Sequence, residues 1–238
     1  VKDRLRCEEV IKITGVCDIL ATQFSYAAWK GGVANVGWRQ LAAKEKIDTM
    51  KLQASCFKPT VMIPFASYIY FSNNANFYLN DAANKPIDVI DAFMDHRTKV
   101  NVMKPFEVFS DIGTEIDNTE SVNFWNNAFN EIDQNSLIKY DIIPLTQLEA
   151  SFGNYKSRIF KNNAKWFMWL VRYLSPISVF KPLVIKITDL DVNITLDLFA
   201  GSLQKCTLDA DISMSSESLN FILSNTFGFD TLTVNGCF

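Results

Sequence analysis

The chain has one imidazole, His96, and that scarcity limits its chemistry more than any motif it contains. Transition ions are held by several convergent imidazoles, thiolates or carboxylates at fixed spacing. No HxH and no CxxC occurs here. His96 follows Asp95 at the end of a predicted helix, where a partly exposed imidazolium complements the helix dipole, and that role is preferred to metal ligation. With no second imidazole base and no strand-turn motif around a serine, neither a Ser-His-Asp nor a Cys-His arrangement can be assembled, so covalent catalysis is not expected. Gly31-Gly32 lacks both the GxxxxGK[ST] spacing and the triple glycine of dinucleotide folds, and reads as a flexible turn.

The 238 residues suit two modest domains, and 48% hydrophobic against 21% charged residues supplies apolar material for real cores. A net charge of −3 argues against a general nucleic-acid binder, which needs clustered excess lysine and arginine. The one basic cluster, Lys156, Arg158, Lys161 and Lys165, is read as a solvated helix face rather than a phosphate patch. Five scattered cysteines, an odd number, fit reduced and mostly buried thiols and a cytoplasmic protein. Trp166 to Leu174 falls short of the roughly 18 apolar residues of a membrane span and contains Arg172. There is no signal-peptide pattern, and Val1 and Phe238 are read as the ends of a fragment or processed product.

The elements that must position any site follow from periodicity. Cys17 to Phe24 predicts a strand buried on both faces, Trp38 to Phe57 a helix stopped by Pro59, and Val61 to Phe65 a second buried strand. Tyr68 to Phe71 extends that strand and Ser72 to Asn76 is a loop. Pro86 opens a helix with Asp88 and Asp91 near its N-terminus, and Val100 to Met103 is a further strand. This alternation implies a layered α/β sheet. Residues 110 to 136 read as a mobile connection or irregular helix. From Leu145 the pattern is helical to Leu174. Leu183 to Ile187 and Val192 to Phe199 alternate as antiparallel strands joined at Asp189 and Asp191, and Ala210 to Met214 is a third strand. Ser215 or Ser216 caps a helix running to Leu223, and Thr231 to Val234 is a final strand. The aromatics Trp166, Phe167, Trp169 and Tyr173 wrap more than one face of their helix, which either docks it between domains or rims an apolar pocket.

Two stretches carry a family resemblance. Asp18-Ile-Leu-Ala-Thr-Gln-Phe24 with Ser-Tyr-Ala and Trp29, the Lys58-Pro59 step, Ile63-Pro64-Phe65-Ala66-Ser67 and Tyr70 to Asp81 (YFSNNANFYLND) form one ordered set. Over residues 1–109 it resembles the C-terminal half of a metallo-β-lactamase-fold domain, in the branch of ascorbate-phosphate lactonases and CMP-sialate hydroxylases. Ala210 to Leu223 and Phe229 to Gly236 are similar to a sterol-carrier-protein-like domain, with Phe229 to Gly236 as the strand that seals its base.

The resemblance implies an α/β chain: a partial αββα sandwich over 1–109, a connecting helical region over 110–180, and a small α+β domain over 181–238 enclosing an apolar tunnel. It implies a metal-dependent hydrolase or hydroxylase-related enzyme acting on a small, anionic molecule. Zinc, iron or manganese would be the cofactor of the intact protein, held by an HxHxDH motif in the N-terminal half of the family's fold, with none expected for this chain alone. Asn73 falls where relatives carry a histidine, and its neutral amide is a poor ligand for zinc or iron. Asp18 and Asp81 are the carboxylate candidates, with a turn or cap role preferred for Asp81. Asn73, Ser67 and Tyr68 would line the cleft. The expected partners are a small-molecule substrate and the missing N-terminal half. The competing reading is a non-catalytic binding protein that holds an apolar ligand in its C-terminal domain.

Overall fold

In a computed structural model, residues 3–113, 115–133, 136–177 and 179–238 are described, and the protein is mixed α/β. It divides into two units, Val1–Leu137 and Ile138–Phe238. This division falls within the 110–180 region expected to connect the two domains. The stretch expected to be a mobile connection or an irregular helix contains a regular helix within the first unit.

The first unit begins with a helix that periodicity does not reveal, α1 (Arg4–Thr14), because Leu5 and Ile13 are exposed. Its cap is chemical: the Asp3 carboxylate accepts from the Arg6 amide at 2.9 Å. Three strands follow, β1 (Ile19–Gln23), β2 (Val61–Phe65) and β3 (Lys99–Val100), all parallel and ordered β1-β2-β3. The crossovers are the helices that the sequence predicts, α2 (Val36–Phe57) and α3 (Pro86–Phe93). Asp88 accepts from the Lys85 amide at 2.6 Å, closing the first turn of α3. Helix α4 (Thr119–Asn130) brings Trp125 onto Tyr68, with ring centroids 4.1 Å apart. Phe24, Met50, Met62, Val89, Phe93 and Val102 form the core beneath the sheet.

Strand β1 is not buried on both faces as its composition suggested. It is an edge strand; Ile19 is exposed, and of its five residues only Thr22 is buried. Central strand β2 contains Pro64, which has no amide to donate. Asn101 and Lys99 donate to the carbonyls of Met62 and Thr60, so even-numbered residues of β2 face β3. β3 pairs only with Val61 and Met62, so Pro64 faces a side where the ladder has already ended.

In the second unit, α5 (Leu145–Asn162) and α6 (Lys165–Leu174) precede a mixed sheet of β4 (Leu183–Ile187), β5 (Val192–Leu196), β6 (Gln204–Cys206) and β7 (Ile212–Met214), ordered β6-β5-β4-β7. The β4–β5 hairpin is antiparallel as expected, and β7 adds in parallel to β4. Helix α7 (Ser216–Ser224) is capped by Ser215, whose Oγ accepts from the Ser218 amide at 3.1 Å. Ser215→Ala is expected to cost about 1 kcal/mol, seen as a lower urea midpoint by far-ultraviolet circular dichroism. Asp189 accepts from both the amide and the hydroxyl of Ser216, at 2.8 and 2.5 Å, fixing the hairpin to α7.

The final segment is a correction. Thr231 to Val234 is not a strand but part of α8 (Gly228–Asn235), closed by Gly236 in the left-handed region. β-branched Thr231, Thr233 and Val234 favour a strand locally, yet burying Leu232 and packing α8 on α7 overrides that preference. The interior of this unit is filled by Leu148, Phe152, Ile185, Ile187, Ile194 and Leu219, among others. No helix among the described residues is long and apolar enough to cross a membrane.

Candidate functional site

The carboxyl ends of parallel strands are where open α/β sheets collect ligands, and here β1 and β2 end together at Gln23 and Phe65. Ser67 ties these ends. Its Oγ accepts from the amides of Phe24 and Ser25 at 3.2 and 2.9 Å and donates to the Ser25 carbonyl at 3.3 Å. Asn84 extends the tie, donating from Nδ2 to the carbonyls of Phe24 and Ala43, at 2.7 and 2.8 Å, while its amide donates to Ser25 Oγ. Ser67 is therefore a buried structural hydroxyl and not a cleft-facing group. Tyr68 is likewise packed, edge-on to Phe24 and stacked on Trp125, and burial pushes its phenol up to about 12.

Asp81 has a different partner from a metal. Both of its carboxylate oxygens receive the Arg39 guanidinium, Nε to Oδ1 and Nη2 to Oδ2, each at 2.7 Å. Arg39 is only 1% exposed and also donates to the carbonyls of Gly32 and Val33, at 2.7 and 3.0 Å. The hydrogen bonds to Asp81 hold the guanidinium's pKa above its ordinary value against the opposing effect of burial. The Gly31-Gly32 turn is consequently pinned rather than flexible. Tyr78 Oη donates to the Gly31 carbonyl, Asn35 accepts from the Gly32 amide, and a Cβ at Gly31 would lie 2.5 Å from Asn35 Cβ.

Asn73 belongs to a loop stitched by asparagines. Its Oδ1 accepts from the Ala75 amide at 2.9 Å, its own amide donates to Asn76 Oδ1, and Asn80 bridges the amide and carbonyl of Phe71. Asp18 stands exposed before β1, at the opposite end of the strands from Ser67 and Asn73. Five residues of strand put about 16 Å between those ends. The sequence candidates therefore do not converge: Asp18 is remote, Asp81 is bidentately engaged, and Asn73 offers an amide already used in a turn. This donor set does not fit zinc, iron or manganese, and among the described residues no group of three His, Cys, Asp or Glu could hold an ion. His96 lies just beyond α3, and in place of the dipole-complementing imidazolium expected there its Nδ1 serves as an acceptor for the Thr98 amide at 3.0 Å.

What the elements do enclose is a cleft of about 780 Å³ between edge strand β1 and α2. The strand contributes Thr22 and Gln23, and α2 contributes Glu45, Lys46, Thr49 and Gln53 at the spacing of one helix face; Lys30 enters from the following loop. Thr22 Oγ1 donates to Gln53 Oε1 at 2.6 Å, and Lys46 Nζ donates to Gln23 Oε1 at 2.6 Å, so the floor is a built polar surface. Tyr26 closes one end, its hydroxyl donating to the Leu79 carbonyl and its phenol pushed up to about 12 by burial and the nearby Asp81 charge. None of Thr22, Lys30, Lys46 or Gln53 was singled out from sequence. The stripe 42-46-49-53 on α2 was visible in principle, but an edge strand with a polar cleft beside it was not. No family model matches the chain, and neither a curated protein nor a solved structure matches it.

Proposed function

We propose that the first unit is the small-molecule-binding body of a metallo-β-lactamase-like, hydrolase-related enzyme, and that the β1–α2 cleft receives a small anionic molecule. The observation that carries this reading is the cleft itself, polar-floored, beside the carboxyl end of β1 and lined by Lys30 and Lys46. Its volume suits a ligand of metabolite size, since such sites run from about 300 to 1,000 Å³. Two ammonium groups against the single carboxylate of Glu45 leave the lining with a net positive charge that favours phosphate or carboxylate, while Thr22, Gln23, Thr49 and Gln53 offer donors and acceptors for hydroxyls. The described residues orient and bind; metal-dependent turnover needs ligands that they do not provide.

A sugar phosphate such as glucose 6-phosphate is the probe. Titration of the ¹⁵N-labelled chain is expected to shift the amides of Thr22, Gln23, Lys46 and Thr49 with a dissociation constant of about 1 mM or below. Lys30→Glu with Lys46→Glu is expected to abolish those shifts. Amides that do not move, or that move equally in the double variant, would remove the basis for an anion site here.

A further inference from the structure

Between Glu149 and Asp189 the chain has seven basic residues and no acidic one, in a protein whose net charge is −3. Helix α6 lies in that stretch, and it is turned the wrong way round for a soluble surface. Met168 is buried and Val171 and Arg172 are half-buried, whereas Trp166, Phe167, Trp169, Leu170, Tyr173 and Leu174 are all exposed. At 100° per residue those six side chains occupy one continuous outward arc. Trp166 is 69% exposed and Leu174 72%, and Ile177 and Phe180 prolong the apolar surface past the helix end.

The rotation is fixed by a salt bridge. Arg172 points inward and makes two hydrogen bonds to Asp197, at 2.7 and 3.2 Å, with its guanidinium also over Phe199. Arg172 cannot rejoin the solvent without breaking that pair, so the aromatic side stays out. The aromatics expected to dock this helix or to rim a pocket are exposed.

We propose that the outward face of α6 docks on an anionic lipid surface, lying in the interface without crossing it. Tryptophan and tyrosine prefer the headgroup level, and leucine and phenylalanine the acyl boundary below it. The exposed Lys161, Lys165 and Lys181 flank the apolar segment in sequence and have no carboxylate partner within salt-bridge distance among the described residues. Lysines so placed add attraction to anionic headgroups. A second copy of the chain is the weaker occupant, because a two-fold contact through this face would set the same lysines against their own copies.

Sedimentation of the full chain with vesicles distinguishes the occupants. The chain is expected to pellet with phosphatidylcholine vesicles containing about one-third phosphatidylserine and to stay largely in solution with phosphatidylcholine alone. Binding should weaken as salt rises, and tryptophan emission should shift to the blue and be quenched by brominated lipid. Lys161→Gln, Lys165→Gln and Lys181→Gln together should weaken binding about a hundredfold, at roughly fivefold for each charge removed. Trp166→Ser with Trp169→Ser should abolish both binding and quenching while leaving the circular dichroism unchanged. Equal binding to both vesicle types, or none to either, overturns the proposal. So does a dimer in sedimentation velocity that the double tryptophan variant dissolves, because it assigns the face to a second copy.

Discussion

Arg39→Ala is expected to lower the stability of the first unit by about 3 kcal/mol, the lower end of what removing one partner from a buried ion pair costs. The lower end applies because the Asp81 side chain keeps 38% of its surface in water and can be resolvated. The loss does not stop at one bond. It leaves the carbonyls of Gly32 and Val33 without their donors and frees the 31–33 turn from the loop that ends at Asp81. Arg39→Lys should recover less than half of the loss, since an ammonium cannot reach a carboxylate bidentately and two carbonyls at once. Urea unfolding followed through Trp29 and Trp38, which pack edge to face beside the turn, reads the effect. An unchanged midpoint in Arg39→Ala would mean that the pair is ornamental and that the loop is held by its asparagines alone.

Gly228→Ala carries the second large effect, about 3 kcal/mol as an overpacking penalty. A Cβ at this position would stand 2.6 Å from the Ile222 Cα and 2.8 Å from the Phe221 carbonyl oxygen, both backbone atoms of α7 that cannot swing aside. The substitution therefore separates α8 from α7 and loosens Leu232 and Cys237 from the core. Gly153→Ala serves as the control, because a Cβ there meets nothing within 4 Å and alanine favours helix. Differential scanning calorimetry should show Gly228→Ala melting well below the parent and Gly153→Ala at or above it. Equal melting of Gly228→Ala and the parent would contradict the helical assignment of residues 228–235.

That assignment marks where the sequence stopped being readable. Strands β2 and β4, the span of α2 after Trp38, the start of α3 at Pro86 and the Ser215 cap were all legible, because each has a local cause: an apolar run, a helix stop, a capping oxygen. Residues 228–235 were not, since Thr231, Thr233 and Val234 vote locally for a strand and only the distant α7 reverses them. Gly236, in the left-handed conformation that ends helices, was the one local sign. β6 was missed for want of an apolar pattern in Gln204-Lys205-Cys206.

The candidate site was less legible still. Ser67, Tyr68 and Asp81 were singled out for chemistry, but their partners, Ser25, Trp125 and Arg39, lie 42, 57 and 42 residues away in sequence, and no spacing announces them. An arginine within Gly-Trp-Arg-Gln-Leu looks like any solvated helix residue until the loop carrying Asp81 closes over it. Long-range pairing of this kind decides whether a carboxylate is a ligand or a strut.

Pro64 leaves the first sheet with unequal flanks. On its β3 side Pro64 keeps a carbonyl but has no amide, so a longer β3 would gain an acceptor there and miss a donor. On the other flank β1 offers a full row of main-chain groups to whatever extended segment comes alongside. Of the two edges of this sheet, that of β1 runs over five paired residues and that of β3 over two, so β1 is the longer template for a further strand.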